Sequence, residues 1–263
     1  MLAPPDWSPI ALGTLGSLLA GLGTTLGAVP ALAVRRLEGR VRDVMLGFAA
    51  GVMLAAAFFS LILPALAAAA GPDGREGQAV VVVGLGILLG AAALWSIHAG
   101  VPHEHFIMGR EGPGTERVRR IWLFVIAITL HNVPEGLAVG VGFGGGDVAN
   151  GVPLALGIGL QNVPEGAATA LALLTIGYSR LTAFLVTSAT GLIEPLAGFV
   201  GITAVSAVGF LLPWGLAFAA GAMIFVISDE VIPETHRHGA EAQGTAGLMA
   251  GFVVMMCLDV AIG

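Results

Sequence analysis

The chain has no lysine, one cysteine and one tyrosine, and only 11% of its 263 residues are charged. Each scarcity excludes something. A soluble domain carries about 25% charged residues, so a water-soluble globule fits poorly. The lone Cys257 rules out an internal disulfide framework and paired-cysteine metal clusters. Inside its apolar run it reads as a buried structural thiol. The formal net charge of −6 says little, because many acids sit inside apolar spans; no nucleic-acid partner is expected. The chain opens with Met1 to Trp7, where Asp6 is the only charged side chain. Lacking a basic start and a small-residue cleavage site, this first segment reads as a retained span rather than a removable signal.

Hydrocarbon dominates what is there. Apolar residues make up 56% and glycine contributes 40 residues, with a mean hydropathy of +0.92. A helix needs about 20 apolar residues to cross a bilayer core. Segments 8–34, 43–70, 78–100, 119–144, 150–177, 181–207, 209–233 and 244–262 meet that requirement. The expectation is an all-α membrane protein of eight transmembrane helices, a single domain over 1–263 embedded in the lipid bilayer. Only the loop 101–118 is longer than a turn. Gly47 with Gly51, Gly86 with Gly90, Gly136 with Gly140 and Gly247 with Gly251 permit close helix contact, as glycines do in any tight bundle.

The basic residues are eleven arginines. With eight spans, ten of them share one side: Arg35, Arg36, Arg40, Arg42, Arg110, Arg117, Arg119, Arg120, Arg180 and Arg237. Arg75 alone falls opposite. The positive-inside rule makes the Arg-rich side cytoplasmic and puts both termini outside.

Two near-copies interrupt the apolar pattern. His131-Asn132-Val133-Pro134-Glu135-Gly136 recurs as Gln161-Asn162-Val163-Pro164-Glu165-Gly166. Each places a metal-capable side chain four residues before a carboxylate, on one helix face. Each also holds a proline that cannot donate to the carbonyl four residues back and so weakens the helix beside the ionisable groups. Acids within a span are costly and mark ion paths or proton relays. Measured from Arg120 and from Asn150, both motifs lie eleven residues in, roughly 16 Å of helix rise. Antiparallel neighbours of that kind meet near the bilayer midplane. There His131, Glu135, Gln161 and Glu165 form an imidazole, amide and carboxylate set suited to Zn2+ and, less selectively, to Cd2+, Fe2+, Mn2+ and Ni2+. Asn132 and Asn162 sit one residue on and could serve a second ion. Glu194, beside Pro195 in the sixth segment, is a third carboxylate suited to bridging. A metal-free buried network is the competing reading.

Together with Gly191-Leu192-Ile193-Glu194-Pro195 and Ile227-Ser228-Asp229-Glu230-Val231-Ile232-Pro233-Glu234-Thr235-His236, these motifs resemble the ZIP family of divalent-metal transporters, in its bacterial GufA-like branch. The resemblance covers nearly the whole chain. It implies a 3+2+3 arrangement, with spans one to three and six to eight as inverted repeats around the motif pair. It also implies metal movement into the cytoplasm, with an elevator-like motion of spans one, four, five and six. His131, Glu135, Gln161 and Glu165 become primary metal ligands, while Asn132, Asn162 and Glu194 surround a second metal. Met53 and Ser60 of the second span face the site in similar proteins. Relatives commonly carry aspartate where this chain has Asn162, so a weaker or absent second ion is expected. Asp229 stands where relatives often have histidine.

Further acids and histidines accompany the motifs. Asp229, Glu230 and Glu234, then His236 and His238, with Asp43 on the same side, form a candidate exit relay. His103-Glu104-His105 in the long loop is a short chelating cluster, read more readily as solvated histidines. His98, Asp147 and Asp259 read as interfacial or solvated end groups. The alternative function is an intramembrane metallohydrolase using the same His/Glu site, against which stand the missing HExxH helix and the lack of a spare general base. A metal-gated channel differs from a transporter only in its kinetics. The sequence leaves open whether chains pair as a homodimer.

Overall fold

In hydrocarbon a backbone must satisfy its polar groups internally, and a helix does so within one segment. The computed structural model describes residues 7–33, 39–72, 74–100, 114–175, 177–235 and 241–262, and among them every regular element is helical. In chain order these are α1 (Pro9–Ala28), α2 (Gly39–Ala56), α3 (Leu63–Ala70), α4 (Glu76–Gly100), α5 (Gly114–Gly142), α6 (Val148–Thr175), α7 (Arg180–Gly191), α8 (Ile193–Ala207), α9 (Leu211–Val226), α10 (Ile232–Thr235) and α11 (Glu241–Ile262). A 3-10 turn, Val29–Leu32, extends α1. Ser8 caps α1 by accepting from the Ala11 amide, and Ser179 caps α7 in the same way through Thr182.

Each of the eight expected segments contains helix. Six helices among the described residues are long and apolar enough to cross a membrane: Pro9–Leu32, Arg40–Ala70, Glu76–Ile97, Arg180–Ala207, Leu211–Thr235 and Glu241–Ile262. The chain is therefore a multi-pass membrane protein. The motif helices α5 and α6 are 29 and 28 residues long.

Prolines shape the helices in two different ways. α5 runs on through Pro134 and α6 through Pro153 and Pro164 without a break. The interruption expected at the motifs is thus limited to the missing amide donors. The rearrangements fall elsewhere. Ala57–Ile62 and Ile227–Val231 are π-helical, and each lies just ahead of a proline, Pro64 or Pro233. A proline ring clashes with the carbonyl four residues back. A π-bulge relieves this by letting the preceding residue bond five back: Leu63 N–H donates to Phe58 O, and Ile232 N–H to Ile227 O. In the sixth segment the helix stops at Gly191 and restarts at Ile193, so that Glu194 and Pro195 occupy the first turn of α8. Both residues suit a helix start, the proline because it needs no donor there and the acid because it meets the positive end of the dipole.

Packing repeats itself. α1 lies along α6 as α5 lies along α8, and α2 lies along α11 as α4 lies along α9. α2 also meets α6, and α5 meets α9. The scheme is unchanged when the first three rods are exchanged with the last three and α5 with α6. Glycine makes the closest of these contacts. Side chains added at Gly47 and Gly51 would run into the backbone of α11, and at Gly247 and Gly251 into that of α2. Gly90 and Gly221 do the same between α4 and α9. The glycine pairs flagged in the sequence therefore all lie at helix contacts. Cys257, expected to be buried, is exposed on α11.

Candidate metal site

The motif residues turn inward from α5 and α6 onto one polar patch inside an apolar bundle. His131, Asn132 and Glu135 on α5 are buried, as are Gln161, Asn162 and Glu165 on α6 and Glu194 at the start of α8. Gln161, Asn162 and Glu194 have no solvent exposure at all. Backbone approach makes this packing possible: a methyl at Gly136 would collide with the backbone of Glu194, and one at Gly166 with that of Thr24 in α1.

Two amides organise the patch. The Nε2 of Gln161 donates to Glu135 Oε1 at 2.7 Å, joining α6 to α5, and to Asn162 Oδ1 at 2.7 Å. The Nδ2 of Asn162 donates to Glu194 Oε1 at 2.8 Å and to the Ala20 carbonyl at 2.9 Å. Three oxygens receive nothing: Glu135 Oε2, Gln161 Oε1 and Glu194 Oε2 are buried without a hydrogen-bond partner. A buried polar group without a partner costs about 1–3 kcal/mol, and a bound cation would remove that cost. Oxygen donors of this kind, with an imidazole beside them, suit a borderline divalent ion. Among the described residues no three His, Cys, Asp or Glu side chains are gathered into a ready metal cage. Two of the polar side chains in the patch, Gln161 and Asn162, are amides and stand outside that set of residue types.

On the other side of the patch, His131 Nε2 lies 3.1 Å from Glu230 Oε2. His131, Glu165, Glu230 and Glu234 share a cavity of about 40 Å³, lined also by Leu46, Ile128 and Val231. Its size suits one small guest, since a water's share of liquid volume is about 30 Å³. Of the four expected primary ligands, Glu135 and Gln161 are hydrogen-bonded to each other, while His131 and Glu165 line one cavity.

Other expected residues go elsewhere. Glu230 turns into the cavity, but the neighbouring Asp229 is exposed, because successive helix positions point about 100° apart. Ser60 is buried and donates to Asp259 Oδ1 at 2.6 Å, so its partner is α11 and not the motif. Asp259, expected to be a solvated end charge, is half-buried. Met53 is fully buried in the hydrophobic core. Asp43 is buried beside Arg42 at 3.4 Å. His103, Glu104, His105, His236 and His238 lie outside the described residues, and of His98 the structure gives only its place in α4. The sequence reading placed no site residue on α1. Ala20 supplies a carbonyl to Asn162, and Ser17 donates to Gly136 O at 3.2 Å. The glycine-dense start of the chain was the available signal.

The pattern of the family described as ZIP Zinc transporter matches residues 98–259. Over 254 residues the chain is 50% identical to Zinc transporter ZIPB of Bordetella bronchiseptica, spanning 97% of this chain and 82% of that protein. It is 45% identical to Zinc transporter GufA of Myxococcus xanthus over 95% of this chain and 99% of the relative. It is 34% identical to Zinc transporter ZIP11 of Homo sapiens over 95% of this chain and 96% of the relative. Membership of a transporter family sets aside the metallohydrolase alternative: the chain is not an enzyme. On its motifs, its helices and these likenesses, the chain belongs to the ZIP family of metal transporters, in the GufA-like bacterial branch.

Proposed function

We propose that the chain carries Zn2+ across the bacterial inner membrane into the cytoplasm, holding the ion between α5 and α6 near the bilayer midplane. The observation that carries this reading is the cross-helix pair Glu135–Gln161, whose outer oxygens are buried and unpartnered inside an apolar bundle. His131 and Glu165, on the adjoining cavity, complete the ligand set. Names of relatives that specify zinc support the choice of cargo. The donor set also admits Cd2+, Fe2+, Mn2+ and Ni2+. Soft thiolates are missing from it, which suits an ion that must be released.

In this reading α5 and α6 also cross the membrane, giving eight spans with both termini outside and the arginine clusters in the cytoplasm. The exchange symmetry of the packing and the matched π-bulges before Pro64 and Pro233 support a 3+2+3 arrangement of inverted repeats. The helices also fall into two groups. α1, α5, α6 and α8 pack on one another, and α2, α4, α9 and α11 form the other set through their paired contacts. That grouping suits an elevator-like motion of the first set, which holds the ligands, against the second. Glu230 and Glu234 line the cavity beyond His131 and mark the exit path, while the exposed Asp229 is not part of it.

Proteoliposomes loaded with a zinc-sensitive dye test this reading. Saturable Zn2+ uptake without any other substrate is expected, falling to ~10% or less in His131→Ala and Glu165→Ala, a scale set by the 10–100-fold losses seen when metal sites are disrupted. Wild-type uptake retained in both variants would end the proposal. Fast, weakly saturating flux would identify a channel instead.

A further inference from the structure

Three carboxylates, Glu135, Glu165 and Glu194, carry more formal negative charge than one divalent cation neutralises, so the number of ions held is an open chemical question. Asn162 answers it. An asparagine amide has two N–H donors and one carbonyl oxygen. Both donors are committed, to Glu194 Oε1 and the Ala20 carbonyl, and the oxygen accepts from Gln161. The orientation is forced by chemistry. Turned the other way, the Asn162 oxygen would face two acceptors, and the Gln161 amide would likewise lose both of its partners. The residue is fully buried, and α1 presses on it from Gly23, where an added Cβ would lie 3.0 Å from Asn162 Cβ.

We propose that Asn162 makes this a one-ion site. Its N–H2 group stands between α1 and Glu194, where a second cation would otherwise sit, and supplies to Glu194 the positive pole that such an ion would supply. A cation approaching the remaining Glu194 oxygen meets the positive end of this amide and finds no anionic oxygen on residue 162. The single ion binds on the other side, at Glu135 Oε2 and Gln161 Oε1, with His131 and Glu165. Asn162 is thus a positioning residue: it fixes Glu194 to α6 and α1 without metal, and it orients Gln161 so that its oxygen faces the ion.

This inference rests on the metal-binding reading proposed above, and one experiment separates the two. Zn2+ is titrated into the purified full chain in detergent by calorimetry, with the bound metal counted by elemental analysis after desalting. One ion per chain is expected for the wild type and two for Asn162→Asp, whose carboxylate cannot donate to Glu194 and instead offers an oxygen pair to a second ion. Glu194→Gln, which keeps an oxygen facing the Asn162 amide, is expected to bind one ion per chain, the same count as the wild type. Two ions in the wild type, falling to one in Glu194→Gln, would overturn the single-ion site and leave the metal reading standing. One ion in a folded Asn162→Asp would remove Asn162 as the cause. No ion in the wild type would overturn the metal reading and the count together. If Asn162→Asp fails to fold, the wild type and Glu194→Gln still decide.

Discussion

Gln161 reaches from α6 to α5 to place its Nε2 2.7 Å from Glu135 Oε1, while its own Oε1 stays buried without a hydrogen-bond partner. In the proposed site one side chain serves packing through its nitrogen and metal binding through its oxygen, and substitutions separate the two roles. Gln161→Leu strands Glu135 Oε1 and Asn162 Oδ1 at about 1–3 kcal/mol each, and it deletes a donor. The melting temperature in detergent should fall and zinc should no longer raise it. Gln161→Glu restores an oxygen but no N–H, so its metal-free form should melt lower than wild type and recover when Zn2+ is added. Equal zinc stabilisation of wild type and Gln161→Leu would show that the amide oxygen is not a ligand.

The contact between α5 and α8 depends on a missing side chain. At Gly136 a methyl would run into the Glu194 backbone, whereas no atom lies within 4 Å of the same position at Gly84 on α4. Overpacking costs about 1–3 kcal/mol, while an open helical Gly→Ala gains up to about 1 kcal/mol. The same substitution should therefore act with opposite sign: Gly136→Ala lowers thermal stability and zinc uptake, and Gly84→Ala preserves or raises both. Similar losses at the two sites would refute the close approach as the cause.

Long elements and the buried polar motifs could be read from the sequence because each has a strong local signal. The eight segments follow from apolar length, and the Gln161–Glu135 meeting follows from the same spacing of ligand and acid in two antiparallel helices. Geometry beyond one helix was not legible. Pro134 and Pro164 carry the same chemistry as Pro64 and Pro233, yet only the latter two are preceded by π-bulges. Which neighbours brace a proline is decided by packing. Asp229 and Glu230 looked alike in sequence, and a one-residue difference of helical phase turned one out and the other in. The role of Ala20 could not be anticipated, because a backbone carbonyl carries no residue-specific signal.

Ser60 ties α11 to the π-bulge of the second rod by donating to Asp259 Oδ1 at 2.6 Å. Hydrogen bonds to charged groups contribute about 1.5–3 kcal/mol. Ser60→Ala should be destabilising by an amount in that range, and Asp259→Asn by less, since an acceptor oxygen remains. In a double-mutant cycle with Asp259→Ala the coupling should exceed about 1 kcal/mol by chemical or thermal unfolding. Additive single effects would mean that the contact contributes nothing to stability.

The number of crossings turns on α5 and α6, which carry the polar motifs. Exposed positions flank the alternatives: Ala149 at the start of α6, Ser179 before α7 and Gly209 before α9. Single cysteines at these sites, in a Cys257→Ser background that removes the only native thiol, report sidedness to a membrane-impermeant reagent on intact cells. Eight spans with outward termini put Ala149→Cys and Gly209→Cys outside and Ser179→Cys inside. If α5 and α6 instead dip in from the cytoplasm and return, Gly209 and Ser179 keep their sides and Ala149→Cys alone, at the tip of the hairpin, is no longer reached from outside. Labelling of Ala149→Cys before lysis is the expected result. It also bears on the ion path, because a ligand set held on helices that cross completely can be reached from either face, whereas a hairpin entered from the cytoplasm would bind metal from one side only.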